Sequence, residues 1–197
     1  MLASASPRRA RLLDRLGVPY RVAPSEVAED LRPGEAPEAA VERLARAKAA
    51  AVAEGERTLP VIGADTVVVA GGAILGKPGS DVEAAEMLRR LSGRTHEVLT
   101  GICVVNGGVA ASGVERTAVT FGTLTGGDID WYVRTGEPRD KAGAYHVDGR
   151  GALFIMRIEG SPSNVAGLPI GLLRRLAAQV GARLGFPDGE GPRGAGR

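Results

Sequence analysis

The chain of 197 residues is poor in several residue types, and each shortage excludes a class of chemistry. It has one cysteine, Cys103, so no disulfide can form within it, and we predict a small core residue there. The two histidines, His96 and His146, lie far apart and lack zinc-ligand spacing. No apolar run approaches the roughly 18 residues of a membrane helix, and none follows the N-terminal arginines as in a secretory signal. We therefore expect a cytoplasmic protein without a membrane segment.

Lysine is also scarce, because 22 of the 25 basic residues are Arg and only three are Lys. The net charge of +2 is too balanced to predict a surface for polymeric nucleic acid. In such an Arg-rich chain, a position that remains Lys is expected to need a compact ammonium group rather than a planar guanidinium group. Chance is the alternative explanation. The three positions are Lys48, Lys77 and Lys141.

The most informative stretch is a β-branched, apolar run at residues 60–69 with one acid, Asp65, in its middle. Such a run predicts a strand that is buried on both faces, where a carboxylate is costly unless a cation or several donors meet it. Two interpretations follow. Asp65 either accepts bonds from backbone N–H groups at a strand end, or points from the strand end into a cleft as a functional acid. Since the charged residues are Asp, Glu, Lys and Arg, the expected chemistry is that of phosphates and a hard divalent cation.

The start of the first predicted helix is unusual in its charge. Ser6 is a suitable N-cap and Pro7 suits the first helical position. Helix N-termini favour acids because of the macrodipole, yet Arg8 and Arg9 stand here. A bound phosphate, held by these side chains, the serine hydroxyls and free N–H groups, would offset that cost. A solvated basic turn is the alternative.

Hydrophobic periodicity and turn residues predict an α/β chain. A second helix, from about Pro37 to Glu54, places Lys48 on its buried stripe, where it either extends to solvent or points into a cleft. We expect one domain over residues 1–184 and a disordered tail, rich in Gly, Pro and charge, over 185–197. The other predicted elements are short strands at 1–3 and 20–22, a Gly71-Gly72 turn, a helix from Ser80 to Gly93, a hairpin of strands 95–105 and 109–121, a helix at 128–135 with Trp131 and Tyr132 in the core, a strand at 152–158 and a last helix at 169–184.

Five segments, in family order over roughly residues 2–184, resemble the Maf family of cytoplasmic nucleoside triphosphate pyrophosphatases. They are Ser4-Ala5-Ser6-Pro7-Arg8-Arg9, Gly63-Ala64-Asp65-Thr66-Val67-Val68, Gly76-Lys77-Pro78, Asp140-Lys141-Ala142-Gly143-Ala144-Tyr145 and Asn164-Val165-Ala166-Gly167-Leu168-Pro169. The resemblance implies a mixed, twisted central sheet flanked by helices, in two lobes around an active-site cleft as in ITPase-like proteins, and a homodimer. It also implies hydrolysis of a nucleoside triphosphate between the α and β phosphates with a divalent metal, Mg²⁺ or Mn²⁺.

The same resemblance implies roles for individual residues. Asp65 would be the general base for the attacking water, and Lys48 and Lys77 would neutralise charge in the transition state. Glu29 would hold the metal together with Asp65. The residues implied to bind substrate are Ser6, Arg8, Arg9, Thr66, Lys141 and Asp148.

Three of these positions are expected to select the base. Arg8 and Thr66 resemble the branch that acts on dTTP and UTP, whereas the branch acting on 7-methyl-GTP has an aromatic residue and a Gln. The third position is Asp148, where the two branches usually have Gln and Glu. An ionised carboxylate cannot donate to a pyrimidine O4. We predict hydrolysis of dTTP, UTP or modified pyrimidine triphosphates. The alternatives are a 7-methyl-GTP or other modified-purine pyrophosphatase, and a nucleotide-binding regulator of cell division or septum formation without relevant turnover.

Overall fold

The structure is a computed structural model that describes residues 1–182 and 184, so the tail expected at 185–197 lies outside the described residues. Six strands form one mixed sheet in the order β1-β2-β4-β5-β6, and β3 pairs with β2. Within the described part of the chain, no helix is both long and apolar enough to cross a bilayer. The strands are β1 Leu2–Ala3, β2 Val61–Ala70, β3 Ala73–Leu75, β4 Thr95–Asn106, β5 Val109–Phe121 and β6 Ile155–Glu159.

Among the described residues, six α-helices flank the sheet, which confirms the predicted fold class. Short 3-10 helices at Glu137–Asp140, Ala142–Ala144 and Arg150–Phe154 connect α4 to β6. The α-helices are α1 Pro7–Arg15, α2 Pro37–Ala53, α3 Asp81–Leu91, α4 Gly126–Arg134, α5 Pro162–Val165 and α6 Ile170–Gln179.

Helix α2 covers one face of the sheet at unusually short range. A Cβ atom added at Gly63 on β2, or at Gly101 on β4, would lie only 2.2 Å from a backbone oxygen of α2. The two missing side chains therefore allow the helix backbone to rest directly on the strands. This close approach brings Lys48 of α2 to Asp65 of β2.

The opposite face carries two separate apolar clusters, which form the cores of the two lobes. One cluster joins β1, α1 and α6 to one end of the sheet, and the other joins α3 and α4 to the other end. Large members of the first cluster are Leu2, Leu13, Ile102, Leu168 and Leu173. Large members of the second are Leu88, Leu91, Phe121, Tyr132 and Tyr145. The sheet is continuous beneath both clusters, so the lobes share one structural base.

A gap in one edge of β2 creates the opening between the lobes. β4 pairs with residues 61–69 of β2 along one edge. On the other edge, β1 pairs with residues 62–63 and β3 with residues 68–70. Asp65 lies in this gap, in the middle of β2 rather than at its end as expected. The opening does lie at the end of a strand, but that strand is the neighbouring β1 and not β2.

Three predictions from the sequence were wrong in part. Trp131 is 39% exposed, because Ile129 and Tyr132 define the buried face of α4 and the intervening residue points away from it. The last helix ends at Gln179 instead of 184, since Gly181 adopts a left-handed φ of 69° that stops it. The strand predicted at 20–22 is reduced to a single bridge between Leu2 and Val22.

The segment predicted as a strand from residue 152 begins as a 3-10 helix instead, and only Ile155–Glu159 pairs with β5. The cause lies in a long-range contact. The Glu137 carboxylate accepts bonds from the backbone N–H groups of Arg150 and Gly151, at 3.1 and 3.0 Å. These bonds draw the chain into a turn, and no local sequence pattern reports them.

His96 lies buried in the second cluster, where it is expected to make stability depend on pH. Its Nε2 is 3.0 Å from the Tyr145 hydroxyl, and its ring packs edge-on against Phe121. Burial lowers the pKa of His96 from 6.5 to about 4. Between these values the unfolded chain binds a proton that the folded state does not, so the free energy of unfolding falls as the pH falls.

This difference in pKa is worth about 3 kcal/mol. Between pH 7 and pH 4, we expect the wild-type protein to lose about 3 kcal/mol more stability than His96→Gln, which has no group to titrate there. Urea unfolding at the two pH values measures both losses. Equal losses in the two proteins would contradict the assignment.

Candidate active site

A cavity of about 270 Å³ opens at the gap in the edge of β2. Its walls come from the segment after β1, the first turn of α1, the loop before α2, and the strand β2 itself. The side chains of Asp65 and Thr66 alternate to opposite faces of β2, yet both line this cavity because the edge is open between them. Eight of the ten sequence-predicted site residues line it: Ser6, Arg8, Arg9, Glu29, Lys48, Asp65, Thr66 and Lys77.

Lys48 joins two acids of the cavity, Asp65 and Glu29. Its Nζ lies 2.6 Å from Asp65 Oδ1 and 2.6 Å from Glu29 Oε1. The side chain is buried, with 5% of the residue exposed, so it does not extend to bulk solvent. Asp65 thus meets a cation rather than relying on backbone N–H groups for its balance of charge. Lys77 adds a second ammonium group, 3.6 Å from Glu29 Oε2 and largely exposed.

The charges around Glu29 keep it ionised. Partial burial raises the pKa of this carboxyl, but the hydrogen bond and charge of Lys48, with the charges of Lys77 and Arg9, outweigh burial. The net effect places the pKa of Glu29 below its ordinary value. The cluster around Lys48 therefore presents two carboxylates and two ammonium groups in one compact array, a pattern that suits a polyanion only when further cations or donors are present.

Arg9 supplies such donors. Its Nε donates to the Gly167 carbonyl at 2.8 Å, one terminal nitrogen to Ser4 Oγ at 2.8 Å, and the other to Thr66 Oγ1 at 3.1 Å. All three partners are neutral oxygens, and no carboxylate within residues 1–182 and 184 pairs with Arg9. Burial lowers the pKa of Arg9 to about 10, with Asp65 partly opposing the shift. A guanidinium group has five N–H donors, so two remain for a bound anion.

The first turn of α1 provides the remaining positive charge. Ser6 occupies the N-cap position and lines the cavity. Arg8 lines this cavity and also a neighbouring one of about 50 Å³. Burial is the main cause of a lowered pKa at Arg8, and the acids Asp140 and Asp148 partly offset it. The predicted anion site at this helix start therefore has a concave surface to occupy.

Two sequence-predicted residues lie outside the lining of the main cavity. Asp148 lines the 50 Å³ cavity together with Arg8 and His146, and its Oδ2 is 4.0 Å from a terminal nitrogen of Arg15. Lys141 is buried and forms an ion pair with Asp140, whose side chain does line the main cavity. The structure thus places Lys141 one residue behind the cavity wall.

Sequence reasoning counted the Ser4 hydroxyl in the predicted phosphate site but assigned no role to Asp140, and both residues line the cavity. Ser4 holds Arg9, as described, and Asp140 pairs with Lys141. Their position is the sequence feature that could have indicated a role, because each is the first residue of one of the five segments that resemble the family. Short polar side chains at segment boundaries give no other local indication of a role.

The donor set fits a hard divalent cation that is shared with a phosphate chain. Among the described residues, no three His, Cys, Asp or Glu side chains gather into a metal-binding cluster. Asp65 and Glu29 nevertheless converge on one cation, the Lys48 ammonium, with both oxygens at 2.6 Å. Mg²⁺ is commonly bound by one or two carboxylates plus substrate phosphate oxygens. The two carboxylates therefore match the protein's share of such a site.

Comparison with known proteins agrees with the geometry. The Maf-like protein family matches residues 1–180 of the chain. A protein of Moorella thermoacetica named dTTP/UTP pyrophosphatase is 53% identical over 183 residues, which cover 92% of this chain and 94% of the relative. Relatives of the same name from Anaeromyxobacter sp. and Symbiobacterium thermophilum are 48% and 47% identical, covering 98% and 97% of this chain and 94% and 98% of the relatives. The chain belongs to the Maf family.

Proposed function

We propose that this protein hydrolyses dTTP and UTP between the α and β phosphates, giving the nucleoside monophosphate and pyrophosphate. The observation that carries the proposal is the cavity in which Lys48 joins Asp65 and Glu29 beside the guanidinium group of Arg9, which donates to neutral oxygens. Relatives at 47–53% identity over nearly the whole chain carry the name dTTP/UTP pyrophosphatase.

In this proposal Asp65 is the general base. Its Oδ1 accepts a bond from Lys48, which leaves Oδ2 to take a proton from the attacking water. Phosphoryl transfer requires little covalent participation from the protein, so positioning and charge stabilisation supply most of the rate. Water attacks the α phosphorus, the bond to the bridging oxygen breaks, and pyrophosphate leaves with the bond electrons.

Different side chains of the cavity are proposed to act on different parts of the reaction. Arg9 and Ser6 bind phosphate oxygens, while Lys48 and Lys77 neutralise the charge that develops in the transition state. Lys141, behind the cavity wall, fixes and partly neutralises Asp140, so that a third carboxylate does not repel the phosphates. Arg8 lies where the phosphate cavity meets the smaller cavity.

Glu29 and Asp65 would hold the divalent metal, Mg²⁺ or Mn²⁺, together with substrate oxygens. The metal would supply charge neutralisation at the phosphates.

The smaller cavity beside Arg8 is proposed to select the base. Asp148 can accept the N3–H of uracil or thymine, which are donors at that atom, while the carbonyl oxygens of these bases need donors such as Arg8. Cytosine has no proton at N3, so an ionised Asp148 would repel it. This reading reconciles a carboxylate at position 148 with a pyrimidine substrate.

The test is pyrophosphate release by the purified full-length protein with Mg²⁺ or Mn²⁺, over a panel of UTP, dTTP, CTP, GTP, 7-methyl-GTP and pseudouridine triphosphate. We expect UTP and dTTP to be preferred over CTP by at least tenfold in kcat/KM, since CTP loses one hydrogen bond and gains a repulsion. Omission of the metal should abolish turnover.

Two outcomes would redirect the proposal. A preference for 7-methyl-GTP would keep the reaction and overturn the pyrimidine assignment. Tight nucleotide binding without release from any member of the panel would indicate a regulator of cell division or septum formation rather than an enzyme.

The proposal also includes a cytoplasmic homodimer, as the family resemblance implies. Leu153 and Met156 lie close together in the chain and are 73% and 74% exposed, which gives apolar surface for a second subunit.

A further inference from the structure

Between the two apolar clusters, one face of the sheet carries a row of polar side chains. On β2, Ala64 belongs to the first cluster and Val68 to the second, and Thr66 stands between them. On β4, Ile102 and Val98 are divided in the same way by Thr100. Threonine hydroxyls at such central positions are costly to bury unless every one finds a partner.

The hydroxyls do find partners, and the chain of bonds has a direction. Thr66 and Thr100 are directly paired residues of β2 and β4, with their Oγ1 atoms 3.0 Å apart. Thr100 Oγ1 donates to the backbone carbonyl of Asn164 at 3.3 Å, which uses its only proton. Thr66 must therefore be the donor to Thr100. Its oxygen in turn accepts from Arg9 at 3.1 Å.

The direction of this hydrogen bond limits which groups of a nucleotide the Thr66 hydroxyl can bind. Its single proton is committed to Thr100, so it has none to donate to a carbonyl oxygen of a base. Thr66 is the position that the family resemblance connects with base selection. Its hydroxyl oxygen accepts a bond from Arg9, the side chain proposed to bind phosphate. Arg9 is held at three points, and the other two, Ser4 and Gly167, lie on separate loops.

Resting on the proposed function, we propose that Thr100 and Thr66 form a hydroxyl relay that positions Arg9 for the phosphate chain of the substrate. Thr66 then governs affinity for the phosphates of the substrate through Arg9. The relay begins at Asn164, whose side chain is fully buried and donates to the Val98 carbonyl at 3.0 Å and to Thr117 Oγ1 at 2.9 Å. The fixed end of the relay is therefore anchored to β4 and β5.

Inorganic pyrophosphate distinguishes the two roles, because it has phosphates but no base. We measure its dissociation constant by titration calorimetry for the full-length wild type, Thr66→Val and Thr100→Val. Each Val variant removes one hydroxyl of the relay and leaves Arg9 less restrained, so we expect pyrophosphate to bind about 5- to 10-fold more weakly. Thr66→Ser and Thr100→Ser keep the hydroxyls and should bind within twofold of wild type.

The matched control is Thr95→Val. Thr95 and Thr120 form the same kind of cross-strand hydroxyl pair, 2.8 Å apart, outside the cavity lining. We expect it to bind pyrophosphate like the wild type. The ratio of kcat/KM for UTP to that for CTP is measured alongside and should change by less than twofold in all relay variants. Thermal unfolding of each variant verifies that the protein folds, and Thr66→Ala or Thr100→Ala, which also lack the hydroxyl, carry the test if a Val variant does not.

The outcomes separate this inference from the function on which it rests. Normal pyrophosphate affinity in both Val variants, or a changed UTP to CTP ratio at unchanged pyrophosphate affinity, would overturn the relay and leave the hydrolase intact. Weaker pyrophosphate binding in the variants of a protein that hydrolyses no triphosphate would support the relay and reject the enzyme. A wild type that binds no pyrophosphate would overturn the relay, whereas the hydrolase stands or falls with turnover of the triphosphates.

Discussion

Replacing Asp65 by Asn is expected to lower kcat for pyrophosphate release by about a thousandfold, the usual contribution of a positioned general base. The amide keeps the shape of the side chain and can still accept a bond from Lys48, but it cannot take a proton from water. The fold should survive, because Glu29 remains 2.6 Å from the buried Lys48 ammonium and continues to balance its charge. Initial rates with UTP and saturating Mg²⁺, together with thermal unfolding, measure both effects.

Pyrophosphate affinity provides the control for this variant. Removing a carboxylate from a cavity that binds an anion should leave that affinity unchanged or increase it. A low rate with intact or tighter binding therefore identifies a defect in the chemical step. Turnover within threefold of wild type would reject Asp65 as the base and leave metal binding as its remaining proposed role.

The sequence predicted the elements that form the site because their signals are local. The β-branched run gave β2, the apolar stripe that includes Lys48 gave α2, and Ser6-Pro7 gave the start of α1. Each of these elements carries a charged residue where its own pattern disfavours charge. An acid in a buried strand, a lysine on a buried helix face and arginines at a helix N-terminus are three local conflicts, and the fold brings all three together.

The relations between elements could not be predicted in the same way. The gap in the β2 edge depends on where β1 stops and β3 starts, which is a matter of sheet register. The relay joins Thr100 to Asn164, 64 residues later, through one carbonyl oxygen. Threonine is common on strands for its β-branched shape, so the sequence does not indicate that Thr66 and Thr100 form a hydrogen-bonded pair until the two apolar clusters on either side are known.

Gly101→Ala is expected to lower the free energy of unfolding by about 3 kcal/mol, near the upper end for overpacking of a core. Its Cβ would lie 2.2 Å from the backbone oxygen of Val41 and 2.7 Å from the backbone nitrogen of Glu42. These atoms belong to the helix backbone and cannot move aside as the end of a side chain can. The helix α2 must therefore move away from the sheet, and Lys48 must move with it.

The same displacement is expected to lower kcat by about a hundredfold, since Gly101 pairs directly with Asp65 on β2 and a shift of about 1 Å in a positioning group has that effect. Gly113→Ala is the matched control on β5, because its Cβ would only touch the flexible end of Leu172 at 3.4 Å. It should cost less than about 1 kcal/mol and leave kcat unchanged. Urea unfolding and initial rates measure both variants. If Gly101→Ala lost stability without losing rate, Lys48 would not need its bridge between Asp65 and Glu29 for turnover, and its place in the mechanism would have to be given up.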